Sequence, residues 1–323
     1  MTPETMLEKI NEYIKNLPLS KEPRGLYEPI EYILSLGGKR IRPVLMMMAY
    51  ELWRDDSDSI LPQAVALETF HNFTLLHDDV MDHADVRRGR PTVHKKWNEN
   101  TAILSGDNML VLAFKWMQQC PADRLPAVME TFTNTAIEID EGQQMDVDFE
   151  ERDDVREEEY IEMIRLKTSV LLACAVKIGA IMAGAPEEDV QNLYKFGEAI
   201  GLSFQLQDDY LDVYGNPEVF GKAIGGDIAS NKKTYMLINA LNKAEGEDKD
   251  ALSRWIEAKT FDREEKVKAV TALYDKLGID KMAKAKMEQY YNEAIAYLDK
   301  VGVPDGKKQP LREYADMMMK REK

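Results

Sequence analysis

This chain of 323 residues has few cysteines and no excess of positive charge. Its two cysteines, Cys120 and Cys174, are too few for a disulfide framework and lack the spacing of metal ligands. The 42 basic residues are outnumbered by 58 acidic ones, and the net charge of -16 argues against a general nucleic-acid or anionic-membrane surface. An anionic substrate would therefore need a metal and a few well-placed cations.

Long apolar runs are also missing. The amino terminus lacks the apolar core of a signal peptide. The most apolar segment, Ser169 to Ala185, is interrupted by Lys177 and falls short of the roughly 20 residues that span a membrane. We therefore expect no integral membrane segment and a reducing, cytoplasmic setting.

No Pro/Gly/Ser-rich linker or low-complexity tract divides the chain, and β-branched alternating runs between hairpin turns are absent. Helical patterning instead runs nearly from end to end, with long helices expected from Arg124 to Phe149, Glu157 to Ala183 and Glu187 to Tyr214. The sequence therefore predicts an all-α fold. It predicts a single domain over residues 1–323, a large helical bundle around a deep central cavity.

Two acidic clusters of the same form stand out, Asp78-Asp79-Val80-Met81-Asp82 and Asp208-Asp209-Tyr210-Leu211-Asp212. In each, the first and last carboxylates are four residues apart and lie on one face of a helix. A lone acidic pentad is usually a solvated helix face, but apolar residues precede both clusters. Such close negative charge is costly unless cations neutralise it, and Mg²⁺ often bridges carboxylates to substrate phosphates. Together the clusters predict a magnesium-diphosphate site.

Cationic residues accompany the first cluster. Gly37-Gly38-Lys39-Arg40-Ile41-Arg42 is a glycine turn followed by three cations, which can grip a phosphate group, although it could equally be a plain basic loop between helices. Arg87 and Arg88 follow the acidic cluster, as expected if metals take one side of a diphosphate and guanidinium groups the other. His71 projects from nearly the same face as Asp78; alone, it would more often be a hydrogen-bonded core histidine.

Further polar residues accompany the second cluster. Lys167 and Thr168 place a cation and a hydroxyl at the edge of an apolar helix, and Gln205 leads into the acidic residues. Lys222 and Lys232 follow across a glycine-containing loop. Any of these lysines could be an ordinary surface residue, but a lysine among apolar neighbours needs an anionic partner because an unpaired buried charge is costly.

In this order, from Gly37 to Thr234, the motifs resemble those of the trans-isoprenyl diphosphate synthases, the polyprenyl synthetase family, and in particular its short-chain farnesyl and geranylgeranyl types. The resemblance implies the isoprenoid synthase fold. It also implies a prenyltransferase that condenses isopentenyl diphosphate with an allylic diphosphate by magnesium-assisted ionisation. In one departure, Lys233-Thr234-Tyr235-Met236 stands where the family often shows Thr-Leu-Pro, which weakens the placement of that loop.

The resemblance also implies roles for the matching positions. The diphosphate of isopentenyl diphosphate would be held by Lys39, Arg42 and His71, with help from Arg88. Three magnesium ions are expected, two on Asp78 and Asp82 and one on Asp208; together with Lys167, these aspartates would be catalytic. Asp79, Asp209 and Asp212 would act through water or by supporting the metal ligands. Direct contacts with the allylic diphosphate are expected from Arg87, Lys167, Thr168, Gln205, Lys222 and Lys232.

Product length should depend on Phe73 and Thr74, one turn before Asp78. A bulky ring at Phe73 looks like the cavity floor of short-chain synthases. We therefore expect a C15 or C20 product, with C20 slightly favoured because no two-residue expansion interrupts the first cluster. The resemblance further implies a homodimer, whose interface could come from the apolar helices between Asn98 and Phe149.

Two other functions fit parts of the pattern. A class I terpene cyclase also uses an aspartate-rich helix and magnesium, but it would not need a second diphosphate pocket built from Lys39, Arg42 and His71. Its second metal motif also usually mixes Asn, Ser or Thr with Glu. A non-catalytic helical scaffold could keep the fold, because fold alone does not fix function. Such subunits commonly lose an aspartate cluster, and here both are intact.

Overall fold

The structure, a computed structural model, describes residues 1–216 and 224–320. Within these residues the regular elements are helices, apart from one short hairpin of β1 (Val86–Arg87) and β2 (Arg90–Pro91), which pair antiparallel with Val86 opposite Pro91. The all-α prediction is confirmed. The α-helices are α1 Pro3–Lys15, α2 Arg24–Ser35, α3 Ile41–Tyr50, α4 Leu61–Met81, α5 Val93–Lys96, α6 Glu99–Met117, α7 Leu125–Glu150, α8 Glu157–Ile164, α9 Val170–Ala183, α10 Glu187–Tyr214, α11 Gly226–Ser230, α12 Tyr235–Lys243, α13 Gly246–Glu257, α14 Arg263–Leu277, α15 Ile279–Lys300 and α16 Asp305–Met319.

Local sequence sets several helix ends. The Asn98 side chain caps α6 by accepting a hydrogen bond from the Thr101 backbone N–H at 2.8 Å. Asp262 caps α14 in the same way, with the Glu265 N–H at 2.9 Å, and Gly278 ends that helix at a φ of +71°. These side chains satisfy backbone groups that lack a partner inside the helix.

Three features were not expected from the sequence. A π-helical turn, Arg165–Ser169, interrupts the helix predicted from Glu157 to Ala183. The short hairpin contains Arg87 and Arg88, for which the sequence predicted no strand. Helix α16, near the carboxyl terminus, was not among the helices predicted from the sequence.

The chain forms two compact units, each with its own core. The first is formed by the described residues within Met1–Thr133, Cys174–Leu193 and Gly302–Leu311, and the second by those within Asn134–Ala173, Tyr194–Val301 and Arg312–Lys323. In the first, α4 is buried almost all round from Gln63 to Phe73. In the second, a cluster including Tyr160, Leu206, Leu252 and Tyr274 forms the core. The single domain and the deep central cavity stay predictions.

The length expectation was wrong, because the helical stretch Glu157–Ala183 has 27 residues and is long and apolar enough to cross a membrane by length and composition, with a mean hydropathy of 1.7 in its most apolar window. In the folded chain, 78% of that window is buried inside the protein. Such burial is typical of a core helix, and it agrees with the expectation that this stretch is not a membrane segment. The cytoplasmic location stays a prediction.

Candidate active site

The first aspartate cluster lies at the carboxyl end of α4. The helix ends at Met81, and the Asp82 N–H donates to the Asp78 carbonyl at 2.8 Å. Asp79 is buried, Asp78 is partly exposed and Asp82 is exposed. Since the carboxyl end of a helix already carries partial negative charge, three carboxylates there make a site that favours cations.

Asp79 forms a bidentate pair with Arg87 of β1. Its two carboxylate oxygens accept from Nε and Nη2 of Arg87 at 2.8 and 2.7 Å. The carboxylate is almost fully buried, whereas a quarter of the arginine side chain is exposed. This pair neutralises Asp79 and ties the hairpin to the end of α4, which leaves Asp78 and Asp82 as the carboxylates with more solvent access.

The glycine turn before α3 lies against Arg88. Gly37, Gly38 and Arg40 have φ values of +76°, +135° and +47°. A Cβ at Gly38 would lie 3.1 Å from Cζ of Arg88, so glycine permits the close approach. Nη1 of Arg88 donates to the Gly37 carbonyl and, at 3.4 Å, to Asn72 Oδ1. The structure therefore brings the turn and Arg88 together, as expected if both contact one anion. Lys39, in the same turn, is exposed.

Arg40 is the cation of this turn that does not face solvent. It is buried with Glu68, with Nη1 to Oε1 at 2.7 Å, and Nη2 donates to the Leu34 carbonyl at 2.6 Å. Glu68 also accepts from Asn72 Nδ2 at 3.0 Å. These contacts link the glycine turn, α4 and Arg88 in one network. Sequence reasoning counted Arg40 only among the loop cations, and no local pattern indicates that it is buried.

His71 lies beside Arg42, with Nη1 of Arg42 3.1 Å from Nε2. Because a guanidinium group only donates, Nε2 accepts and the ring proton belongs on Nδ1. Desolvation, together with the charges of Arg42 and Arg88, lowers the pKa of His71 well below its usual range. The imidazole is therefore neutral at pH 7, and the cations next to it are arginines.

We expect the neutral His71 to weaken the fold in acid. The unfolded chain takes up this proton near pH 6.5 and the folded chain only at lower pH, so stability is lost below about pH 6.5 at up to about 1.4 kcal/mol per pH unit. Denaturant unfolding of the wild type and of His71→Gln between about pH 7.5 and 5.5 measures this. The variant should show the shallower decline; equal slopes would contradict a desolvated neutral ring.

The second aspartate cluster also lies at the carboxyl end of a long helix, α10. Asp208 and Asp212 are partly exposed and Asp209 is buried. Asp212 Oδ2 accepts from the Asp227 N–H at 2.9 Å, and the Asp212 carbonyl accepts from the Gly225 N–H at 2.6 Å. Asp212 therefore fixes the segment that carries Asp227.

The buried Asp209 carboxylate is held by two side-chain hydrogen bonds. It accepts hydrogen bonds from the Tyr160 hydroxyl and, at 3.1 Å, from Gln205 Nε2. Burial, together with the charge of Asp227, raises the pKa of Asp209 to about 7. Asp227 was not singled out from the sequence; the signal that could have found it is its place directly after Gly225 and Gly226, four residues before Asn231-Lys232.

Asp146 of α7 holds two lysines predicted to bind the allylic diphosphate. Its Oδ2 lies 2.6 Å from Nζ of Lys167 and 3.7 Å from Nζ of Lys232. Desolvation alone would raise the pKa of Asp146, but the charges of Lys232 and Lys167 outweigh it and lower that pKa. Thr168, next to Lys167, donates to Gln205 Oε1 at 3.0 Å. Four predicted contacts are thus organised around α7 and α10, and Asp146 was missed from the sequence. Lys222 lies outside the described residues.

The carboxylates of the two clusters suit a magnesium ion that also binds water and substrate better than a metal ion enclosed by protein ligands alone. Within the described residues, no group of three or more His, Cys, Asp or Glu side chains could by itself hold a metal ion. Magnesium is usually bound through one or two carboxylates, with water and substrate phosphates completing its shell. Asp78 and Asp208, which are partly exposed, and Asp82, which is exposed, suit that mode of binding.

Phe73 lies in a row of aromatic rings shortly before the first aspartate cluster in α4. Its ring centroid lies 4.8 Å from that of His77 and 5.6 Å from that of Phe70. Phe70 in turn packs on Phe132 at 5.3 Å, and Phe132 on Phe114 at 4.9 Å. Thr74 donates its hydroxyl to the His71 carbonyl at 2.9 Å. Phe73, about one helical turn before Asp78, is therefore packed within a group of aromatic rings.

Comparison with known proteins identifies the family. The sequence profile of the family described as Polyprenyl synthetase matches residues 23–274. Geranylgeranyl diphosphate synthase of Methanosarcina mazei is 45% identical over 229 residues, which are 70% of this chain and 70% of that protein. The chain belongs to the polyprenyl synthetase family, as the motifs suggested.

Solved structures confirm the isoprenoid synthase fold. A crystal structure of a geranylgeranyl pyrophosphate synthase matches with a TM-score of 0.95 and 41% identity, covering 100% of both chains. The geranylgeranyl pyrophosphate synthase of Corynebacterium glutamicum, solved in complex with isoprenyl diphosphate and magnesium, matches with a TM-score of 0.87 and 27% identity over 99% of this chain and 98% of that one.

Proposed function

We propose that this chain is a short-chain trans-prenyltransferase that joins isopentenyl diphosphate to an allylic diphosphate, releases diphosphate and extends the prenyl chain by five carbons. The observation that carries the proposal is its membership of the polyprenyl synthetase family together with two acidic clusters, each at the carboxyl end of a long helix. Relatives named geranylgeranyl diphosphate synthases confirm the predicted enzyme class and agree with a favoured C20 product.

The proposed reaction begins with loss of the allylic diphosphate. Magnesium ions, when bound, would stabilise the charge on that leaving group; we assign two to Asp78 and Asp82 and one to Asp208. Arg87, Lys167, Thr168, Gln205 and Lys232 would bind the same diphosphate, as would Lys222. Asp146 supports this assignment, because a single carboxylate keeps Lys167 and Lys232 close together.

The second substrate, isopentenyl diphosphate, would bind at Lys39, Arg42, His71 and Arg88. The contact of Arg42 with His71 and the packing of Arg88 on the glycine turn support one shared anion site. The double bond of this substrate would attack the allylic cation to form the new carbon-carbon bond. The departed diphosphate would then take the proton that the condensed product loses. Apolar walls would keep water from the cation.

A direct assay tests the function. Purified protein is incubated with magnesium, isopentenyl diphosphate and one allylic diphosphate of C5, C10 or C15 length, and products are resolved by chromatography. Lengthened prenyl diphosphates are expected only when both substrates and magnesium are present. Hydrocarbon formed from the allylic substrate alone would indicate a terpene cyclase, and no turnover with any primer would indicate a scaffold.

Phe73 should set the product length. Phe73→Ala removes one ring from the proposed cavity floor, so the major product should lengthen from C20 to C25 or beyond. Phe70, which packs on Phe73, would then line the enlarged space. Phe114→Ala is the matched control at the far end of the ring row. Both variants should lose roughly 3 kcal/mol of stability or more, but only Phe73→Ala should change the products. An unchanged distribution would remove Phe73 from this role.

We also propose a homodimer in which α6 contributes to the interface. Three apolar side chains of α6 are exposed in the single chain, Ile103 at 43%, Leu104 at 60% and Val111 at 64%. Leu104 and Val111 are seven residues apart and so share one face. Light scattering should report a dimer for the wild type and a monomer for Leu104→Glu. Met317→Glu, at another exposed apolar residue, is the control and should remain dimeric.

A further inference from the structure

The π-helical turn Arg165–Ser169 lies between α8 and α9 and contains Lys167 and Thr168. The Val170 N–H donates to the Arg165 carbonyl, five residues earlier, and the Ser169 hydroxyl donates to the Ile164 carbonyl at 3.4 Å. Single π-turns inside α-helices are rare and often mark functional sites. Contacts with neighbouring helices must therefore stabilise this turn relative to a regular α-helix.

Glycines of two neighbouring helices contact the turn. A Cβ at Gly142 of α7 would lie 2.5 Å from the Lys167 backbone nitrogen and 2.8 Å from Leu166 Cβ. A Cβ at Gly201 of α10 would lie 2.6 Å from Ser169 Cα. The closest atom in each case belongs to the backbone, so the clash cannot be relieved by rotating a side chain.

Each glycine is followed, one helical turn later, by the side chain that holds the same π-turn. Four residues after Gly142 comes Asp146, which binds Lys167 at 2.6 Å. Four residues after Gly201 comes Gln205, which binds Thr168 at 3.0 Å. Positions i and i+4 lie on one helix face. Helices α7 and α10 therefore each present a glycine and a polar partner to the turn.

A glycine inside a helix makes that helix less stable than an alanine at the same position would. Gly142 and Gly201 both lie well within their helices, so local helix stability does not explain them. The backbone of the π-turn occupies the space that an alanine methyl would take.

We propose that Gly142 and Gly201 are positioning residues for the allylic diphosphate. They allow the π-turn to lie close enough to α7 and α10 for Asp146 and Gln205 to orient Lys167 and Thr168. This proposal rests on the proposed function, because it assigns those two side chains to the allylic substrate. An alanine at either glycine would push the turn away by close to 1 Å, and a displacement of that size can lower a rate by about 100-fold.

Steady-state kinetics of Gly142→Ala and Gly201→Ala test the proposal. We expect kcat to fall by about 100-fold and the KM for the allylic diphosphate to rise, with the KM for isopentenyl diphosphate unchanged within error. Gly25→Ala is the open control, since no atom lies within 4 Å of its new Cβ. Gly179→Ala is the crowded control; its Cβ would lie 2.2 Å from the Met46 carbonyl oxygen, so it should lower Tm without raising the allylic KM selectively.

A double-mutant cycle separates positioning from simple destabilisation. If Gly142 acts through Lys167, Gly142→Ala should change the allylic KM little once Lys167→Ala is present, whereas independent effects would add. Thr168→Val serves the same purpose for Gly201→Ala. Additive effects, or a change shared equally by both substrates as with Gly179→Ala, would overturn the proposal. A wild-type protein that forms no lengthened product would instead overturn the proposed function. If the wild type is active and Gly142→Ala has the same kcat and allylic KM, only the positioning role is overturned.

Discussion

Replacing Asp82 by asparagine is expected to lower kcat/KM by about 1,000-fold, because losing the proposed magnesium ligand would forfeit about 4 kcal/mol of charge stabilisation in the transition state. The same change should raise the stability of the metal-free protein by about 0.3 to 1 kcal/mol, since it removes a negative charge from the carboxyl end of a helix. Activity and stability would thus change in opposite directions. This combination marks a residue retained for binding and not for folding.

Asp85→Asn is the matched control for Asp82→Asn. Asp85 lies three residues further along and pairs with Lys95 at 2.9 Å, with both side chains exposed. Exposed pairs contribute little to stability, so this variant should keep wild-type kinetics and nearly wild-type Tm. A further readout is the rise in Tm when magnesium and inorganic pyrophosphate are added. A ligand present at 100 times its Kd stabilises the folded protein by about 2.7 kcal/mol, which raises the Tm. Asp82→Asn should lose most of that rise, and a full rise would contradict its role as a ligand.

Glu68→Ala should have the largest effect on stability. Arg40 and Glu68 are 1% and 3% exposed at their side chains, so removing the carboxylate leaves a buried guanidinium group without its counter-charge. Such breaks cost about 3 to 5 kcal/mol, a large part of a usual total of about 5 to 15 kcal/mol. Denaturant unfolding of the variant at neutral pH measures the loss.

The double variant Arg40→Met/Glu68→Leu separates the buried charge from the architecture. Replacing both partners with apolar side chains removes the unpaired charge, so part of the lost stability should return, although the Leu34 carbonyl and Asn11 lose their donor. A double variant as unstable as Glu68→Ala would show that the charge was not the cause. Because the pair fixes the glycine turn, the double variant should still bind isopentenyl diphosphate more weakly, with the allylic KM unchanged.

The sequence identified the aspartates because their chemistry is visible in the chain itself. The i, i+4 spacing and the apolar residues before each cluster predict paired carboxylates on helices, and the structure places both clusters near the ends of α4 and α10. Helices α7 and α10 also begin and end close to the predicted residues. Helix periodicity and capping are local properties, so they can be inferred without the fold.

Asp146, Asp227 and the Arg40–Glu68 pair could not be inferred in this way. Asp146 is one of several acidic residues on α7, and only its distance from Lys167 and Lys232 distinguishes it. Arg40 resembles its neighbours Lys39 and Arg42 in sequence but is buried. Gly142 could have been noticed as a glycine inside a helix, yet its neighbour, the π-turn, is distant in sequence.

By itself, then, the sequence determined the all-α class, the family and the carboxylates that suit magnesium, since these depend on residue type and on spacing within one helix. The tertiary structure alone decided which charges are paired in the interior and which lie at the surface. It also decided that Lys167 and Thr168 lie in a π-turn packed against two glycines. The physical reason is that burial, pairing and close backbone packing depend on contacts between residues far apart in the chain, which no local pattern encodes.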